Sequence, residues 1–170
     1  MTNTGTTLLA EPDADSFRTA MGCLPTGVAL LTQGSGDTAS VMTLNSLTSV
    51  SLDPLLLLVS VGKDGRMRSL VPAGGGFAVN VLAEEHRELS GEFARADRPA
   101  GEEAMRRIGA VEGITGNAVV PSAAASFECL LHAEHEAGDH VLFVGRVVAV
   151  RHSSCARPLL FHRGRYTSLG

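Results

Sequence analysis

The segment from Ala123 to Arg151 constrains the fold more than any other part of this 170-residue chain. Ala123 to Glu136 alternates apolar and polar side chains, the pattern of a half-buried strand. EAGD, residues 136–139, carries a tight-turn signal, and His140 to Arg151 reads as a long apolar strand. Together they predict a β-hairpin. The 19 Gly and 7 Pro place turns throughout the chain, as a β-rich domain requires.

The rest of the chain is organised around similar units. Residues 1–12 are small and polar without periodicity and are expected to be flexible; residues 13–170 form one domain. A helix is predicted to start near Asp13 or Asp15, with Phe17, Met21 and Leu24 at helical spacing and Pro25 as its stop. Strands are predicted at 28–32, 39–44, 47–52, 55–61 and 77–82. Leu55 to Val61 is nearly all apolar, which predicts burial on both faces. A short helix should follow the turn at 62–65, with PAGGG, residues 72–76, as a breaker, and AEEHRELSGEF should form an amphipathic helix with Leu89 and Phe93 on one side. Residues 95–118 read as a long polar excursion with one helix near 102–108, a length that is usually functional or mobile. Two short strands, 158–161 and 166–169, flank the turn HRGR. Such a set of hairpins with few helices closes most simply into a barrel.

Composition excludes several classes of function. A net charge of −4 gives no nucleic-acid footprint, and the basic residues Arg151, Arg157, Arg163 and Arg165 are interrupted by His and apolar residues. Aromatic content of 4%, with no Trp, argues against a base-stacking platform. There is no signal-peptide pattern and no apolar run long enough to span a membrane, so a cytoplasmic location is expected. Cys23, Cys129 and Cys155 form no CxxC pair and read as inert thiols.

Thr43 to Pro54, TLNSLTSVSLDP, is the main candidate for chemistry. Five hydroxyls and Asn45 alternate with Leu44, Leu47, Val50 and Leu52. Short hydroxyls and amides can cradle a phosphate or hydrogen-bond a polar heterocycle without adding charge. A serine-rich strand ending in an Asp-Pro turn is the plainer reading. In EAGDH, His140 begins a strand beside a turn, where its ring can face a cleft; a surface histidine is the alternative. His132 and His135 are three apart on a strand and point to opposite faces unless the strand bulges, so no metal site with His140 is expected. No G-x-S-x-G, P-loop or Rossmann glycine motif is present.

Taken in order, these pieces resemble the flavin reductase family with the FMN-binding split-barrel fold, the reductase components of two-component flavin-dependent monooxygenases. The resemblance rests on TGVALLT at 26–32, TLNSLTSVSLDPLLLLVSV at 43–61, GGFAVNVLAEEHRELSGEFA at 75–94, FECLLHAEHEAGDHVLFVGRVVAV at 127–150 and PLLFHRGRYTSL at 158–169. It implies a mainly β fold, a six-stranded Greek-key split barrel with a few peripheral helices, and a homodimer with flavin near the interface. Thr43, Asn45 and Ser46 would hold the flavin phosphate and ribityl chain, and Ser49, Val50, Ser51 and Leu52 would lie along the isoalloxazine ring. Lys63 and Arg66 match a phosphate-facing position, and Phe93, Ala94 and Arg95 match the end of a helix that closes the site. Gly138, Asp139 and His140 match the family's GDH motif, with His140 approaching the nicotinamide. The chain departs from the family at Val41-Met42-Thr43, where a Gly is frequent, and at Gly65-Arg66, where Ser-Arg is common. The implied activity is hydride transfer from NADH, with NADPH as the alternative, to FAD or FMN, for delivery to a partner monooxygenase. A flavin carrier or sensor on the same barrel is the first rival, and an oxidase of a pyridoxal-type phosphate the second.

Overall fold

The computed structural model describes residues 11–169; the segment expected to be flexible, 1–12, lies almost wholly outside them. The β9–β10 hairpin (Ala125–Ala137 and His140–His152) is the longest unit, turning at Gly138 with φ 62°. It bulges at His132 and Val148, where the pairing register shifts. Gly145 of β10 sits over Phe77, where a Cβ would come within 2.6 Å of the ring. On either side of this hairpin the sheet is completed by β2 (Ala29–Gln33), β3 (Ser40–Leu44), β4 (Thr48–Leu52), β5 (Leu55–Gly62) and β6 (Gly76–Val81).

The order is β3-β2-β6-β9-β10-β5-β4, with antiparallel neighbours throughout. The two end strands, β3 and β4, are separated in sequence only by residues 45–47. Laid flat, seven strands would put them about 29 Å apart. The four steps from Leu44 to Thr48 span at most about 14 Å. The sheet must therefore curl until its ends meet, yet no ladder joins β3 to β4. The result is a barrel split along one seam. It has seven strands rather than six, because Thr48–Leu52 folds back on β5 as an additional edge.

Alternation along the strands sorts the core into two clusters. Leu31, Val59, Phe77, Val79 and Phe143 fill the inside, covered by α2 (Met67–Gly74) through Met67 and Val71. Leu30, Val41, Leu82, Phe93 and Ile108 form the second cluster, under α3 (Arg87–Phe93) and α4 (Gly101–Ile108). β2 faces both clusters and is buried on both sides. β5 is not: Leu57, Val59 and Val61 are buried on one face, whereas Leu56, Leu58 and Ser60 on the other are only half-buried.

PAGGG ends α2 as expected, through Gly75 at φ 69°, a left-handed conformation closed to proline, while Pro72 lies inside the helix. One further expectation is corrected. The 95–118 excursion is docked rather than loose. α4 and a small ladder, β7 (Val111–Glu112) with β8 (Ala118–Val119), bury Ala104, Ile108, Ala118 and Val119. Asn80 holds this cap, accepting from Val120 N at 2.9 Å and Ser126 Oγ at 2.9 Å, while Thr32 Oγ1 donates to Ala118 O at 2.6 Å. Glu128 accepts from Thr115 N at 2.9 Å and Thr115 Oγ1 at 3.0 Å.

α1 (Ala14–Met21) starts where expected, with Asp13 accepting from Ser16 N at 2.7 Å. β1 (Thr26–Gly27), β11 (Leu160–His162) and β12 (Arg165–Thr167) make a small separate sheet against the seam side. The β11–β12 turn places Arg163 and Gly164 at φ 48° and 74°, a two-residue hairpin turn.

Candidate functional site

The seam is where the barrel leaves backbone unpaired. On the free edge of β3, Ala39 O accepts from Gly101 N at 2.7 Å and Val41 O accepts from Arg98 Nε at 2.8 Å. Outward-pointing groups recur every second residue of an antiparallel edge, so Thr43 presents its N–H and C=O on that same edge. The linker that follows is fixed by Ser46, whose Oγ donates to Ser60 O and accepts from Ser60 N, both at 3.0 Å. Ser46 thereby extends the β4–β5 ladder with a side chain.

Hydrogen bonding separates the predicted polar residues. Thr43 Oγ1 donates its hydrogen to Ser90 O at 2.8 Å, so only its lone pairs remain for a ligand. Ser46 has both hydroxyl functions engaged by β5. Asn45 is different: it is exposed, and its one side-chain bond among the described residues is a 3.3 Å contact from Nδ2 to Thr26 Oγ1. Three clefts meet at Asn45. The largest, about 670 Å³, is walled by Phe17 and Met21 of α1 and Leu24 just after it, by Ser46–Thr48, and by Phe161 and Arg163. A second, about 200 Å³, adds Thr43, Ser90, Ala94 and Tyr166, and a third, about 290 Å³, runs along Pro25–Ala29. The apolar side of α1 faces the first cleft and not the core, which is why Phe17 stays 62% exposed.

The other predicted residues divide by place. Ser49, Val50, Ser51 and Leu52 lie on edge strand β4, where a register shift leaves Val50 unpaired and Leu52 is 83% exposed. Phe93 is fully buried in the second cluster, so its ring cannot face a ligand, whereas neighbouring Ala94 lines the smaller cleft. Arg95 points into solvent in a two-bond ion pair with Asp97, at 2.9 and 2.7 Å. Arg66 is exposed at the start of α2.

Lys63, Gly138, Asp139 and His140 assemble at the tip of the long hairpin. Lys63 N donates to Asp139 O at 3.0 Å, and Lys63 Nζ pairs with Glu136 at 3.2 Å, so the ammonium is drawn to the hairpin rather than to the seam. Asp139 Oδ1 lies 2.8 Å from His140 Nδ1. A carboxylate only accepts, so Nδ1 carries the hydrogen and Nε2 of the neutral ring is left as an acceptor. The same bond, reinforced by the imidazole charge when protonated, holds the Asp139 carboxyl below the usual range. His140 pairs with Gly62, two residues along β5 from Ser60, so the tip is about 7 Å of strand rise from the Ser46 anchor.

Several participants have no local signal in the sequence. Ser90 holds Thr43 from 47 residues away, and Ser90 Oγ meets Tyr166 OH at 2.8 Å across 76 residues. Phe161 packs edge-on to Tyr166 at 5.5 Å, and the Arg87 guanidinium sits over the Tyr166 ring at 5.3 Å. A Ser122–His86–Glu85 grouping imitates a nucleophilic triad, but His86 Nδ1 accepts from Ala83 N at 3.1 Å. Nε2 therefore holds the hydrogen and cannot take one from Ser122. Burial pushes the Cys129 thiol up to about 12, an inert core group. Among the described residues no group of three His, Cys, Asp or Glu could hold a metal ion, although β9 does bulge at His132.

The open strand edge at Thr43, the exposed Asn45 amide and the apolar cleft walls make the seam the candidate binding site. The chain matches the flavin reductase like domain over residues 21–170 and belongs to that family. It is 48% identical over 160 residues to the NADH-dependent FMN reductase AsuE2 of Streptomyces nodosus subsp. asukaensis, covering 94% of this chain and 86% of that protein. It is 31% identical over 169 residues to the flavin-dependent monooxygenase reductase subunit HsaB of Rhodococcus jostii, covering 99% and 85%. The solved Streptomyces globisporus NADH:FAD oxidoreductase SgcE6, in complex with NAD and FAD fragments, superposes with a TM-score of 0.87 at 34% identity, over 96% of this chain and 98% of that one.

Proposed function

We propose that this chain is an NADH-dependent flavin reductase that supplies reduced FAD or FMN to a separate monooxygenase component. The observation that carries the reading is the seam at Thr43–Ser46, where the free edge of β3 and the exposed amide of Asn45 border three clefts. Relatives bearing NADH-dependent FMN and FAD reductase names support it. Bound flavin would supply the hydride-accepting ring.

The chain's own residues bind and orient. Asn45 offers both a donor and an acceptor to a polar ring or ribityl chain. Thr43 offers backbone N–H and C=O together with hydroxyl lone pairs that Ser90 has turned toward the cleft. Ser49–Leu52 give the edge along which the ring would lie. Asp139 fixes His140 so that Nε2 accepts from the nicotinamide carboxamide, a positioning contact that moves no proton. No general acid or base is needed by such a site, since the cofactors carry the chemistry.

The homodimer is part of the same reading. Val50, Leu52, Leu55, Val148 and Val150 are exposed apolar residues. The β5–β10 register ends at Leu56↔Arg146, which brings them to one end of the sheet. Sedimentation of the full chain should give twice the monomer mass; a monomer would refute that part alone. A cytoplasmic location fits three unpaired thiols, two of them exposed. Among the described residues no helix is long and apolar enough to cross a membrane.

Anaerobic mixing with NADH and excess FAD or FMN should abolish the flavin's visible absorbance over many turnovers. His140→Ala should raise KM for NADH about tenfold, the cost of roughly one hydrogen bond, and leave the flavin Kd nearly unchanged. Flavin that binds but stays oxidised would favour the carrier reading and remove His140's role.

A further inference from the structure

α3 has a serine and a glycine, Ser90 and Gly91, in the middle of its seven residues. Both are poor residues for a helix interior. A Cβ on Gly91 would meet nothing within 4 Å, so no packing requires a glycine there. So short a helix with such a centre has little hold on its own position, and its tertiary contacts decide where it lies. One side chain grips it twice. Tyr166, the only tyrosine of the chain, places its OH 2.8 Å from Ser90 Oγ. The Arg87 guanidinium, three residues before Ser90 and on the same side of α3, lies 5.3 Å from the centre of the Tyr166 ring. The ring itself is held by Phe161, its cross-strand partner in the β11–β12 ladder, edge-on at 5.5 Å.

The other side of the same serine controls the seam. Ser90 is fully buried, and its carbonyl accepts from Thr43 Oγ1 at 2.8 Å and from Ala94 N at 3.2 Å. A threonine hydroxyl rotates to suit its neighbours unless an acceptor holds it. With its hydrogen on Ser90 O, Thr43 Oγ1 is an acceptor only, beside a cleft of about 200 Å³ that Thr43 shares with Asn45, Ser90, Ala94 and Tyr166. A shift of α3 at Ser90 would free that hydrogen and return Thr43 to a rotor. Three elements distant in the chain thus act in line: β12 sets α3, the Ser90 carbonyl sets Thr43, and Thr43 faces the cleft.

We propose that Tyr166 is a positioning residue of the flavin site. Acting through Ser90, it keeps the Thr43 hydroxyl oriented as an acceptor for an O–H or N–H of the bound flavin. This rests on the flavin reading above. The phenol hydroxyl is engaged by Ser90, so its contribution to affinity passes through α3 rather than through a bond of its own to the ligand.

The test is a double-variant cycle on flavin affinity. Dissociation constants of FMN and FAD are measured by flavin fluorescence for the wild type, Tyr166→Phe, Ser90→Ala, Thr43→Val and the Tyr166→Phe/Thr43→Val pair. Phenylalanine keeps the ring against Phe161 and Arg87 and removes only the hydroxyl. Thr43→Val should weaken flavin about fivefold, the loss of one neutral hydrogen bond, and Tyr166→Phe about threefold, the loss of part of it. The pair should bind about as weakly as Thr43→Val alone, about fivefold, whereas independent effects would multiply to about 15-fold. A Tyr166 that only stabilised the fold would give the multiplied value. Ser90→Ala removes the same bond from the helix side and suits a helix, so it should match Tyr166→Phe and carries the test even if Tyr166→Phe fails to fold. KM for NADH should stay nearly unchanged throughout, because His140 stands apart at the hairpin tip. Multiplied losses in the pair, no loss in Tyr166→Phe or Ser90→Ala, or a loss that falls on NADH instead would overturn the role of Tyr166 while leaving the flavin site standing. A folded wild type that binds neither flavin would overturn the flavin reading and this role with it.

Discussion

Asn80 lies on the curled sheet and Asn45 in the linker at its seam, and the two differ in almost everything but chemistry. Asn80 is fully buried, accepts from Val120 N and Ser126 Oγ, and lies with its amide 3.4 Å from Thr32 Oγ1 and Ala118 O. Asn45 is exposed, meets Thr26 Oγ1 at 3.3 Å, and borders three clefts. The first amide is a structural joint between the sheet and the 95–120 cap. The second is a handle left for something else. In a strand-rich protein a polar residue becomes a site when its hydrogen bonds are left over, not because it is polar.

The sharpest way to break this contrast is Asn80→Ala. It strands the Val120 N–H and the Ser126 hydroxyl in the interior, each at about 1–3 kcal/mol. Denaturant unfolding should show a loss of about 3 kcal/mol by that count, with flavin affinity of the remaining folded protein unchanged. A selective loss of flavin binding would mean the cap belongs to the site.

Asn45→Ala should do the reverse. Its stability should stay within about 0.5 kcal/mol of wild type, as for other exposed positions. Its flavin Kd should rise about 5- to 10-fold, from one neutral hydrogen bond of about 1 kcal/mol. Calorimetric unfolding and flavin titration on the same sample decide it; unchanged affinity would strip Asn45 of its role.

The smallest effect separates pairing from protonation. His86 has both ring nitrogens engaged, as Asn80 has its amide, but it titrates. Burial lowers its pKa, with Glu85 opposing. Because the folded form prefers the neutral ring, stability is complete above the unfolded pKa of about 6.5 and declines as pH falls below it toward the folded value. Thermal melts should show a small loss across that window, and His86→Gln should flatten it. An unaltered profile would show that His86 is not the group responsible.

Much of the architecture could be read from the chain. The alternation in 125–137 and 140–152, the glycine at the turn and the Asp13 cap all act locally, and local rules are what sequence displays. The order of segments around TLNSLTS and GDH identified the family and brought Asn45, Ala94 and His140 forward. What escaped was set by distant partners. Nothing near Thr43 or Ser46 reveals that Ser90 and Ser60 occupy their hydroxyls, whereas the spacing of Leu89 and Phe93 already put the Phe93 ring on the apolar side of its helix. The Val111–Val119 ladder is too short to carry a period. Arg98 looks like any surface arginine until Val41's carbonyl is found beneath it.

The β11–β12 hairpin follows every strand of the seven-stranded sheet in the chain, yet supplies Phe161, Arg163 and Tyr166 to the cleft walls. During synthesis, a nascent chain emerged only as far as His152 holds all the strands of the split barrel but lacks the far wall of its clefts. If flavin binds at these clefts as proposed, it would then meet an open ledge instead of a pocket, and its enclosure would await the β11–β12 hairpin.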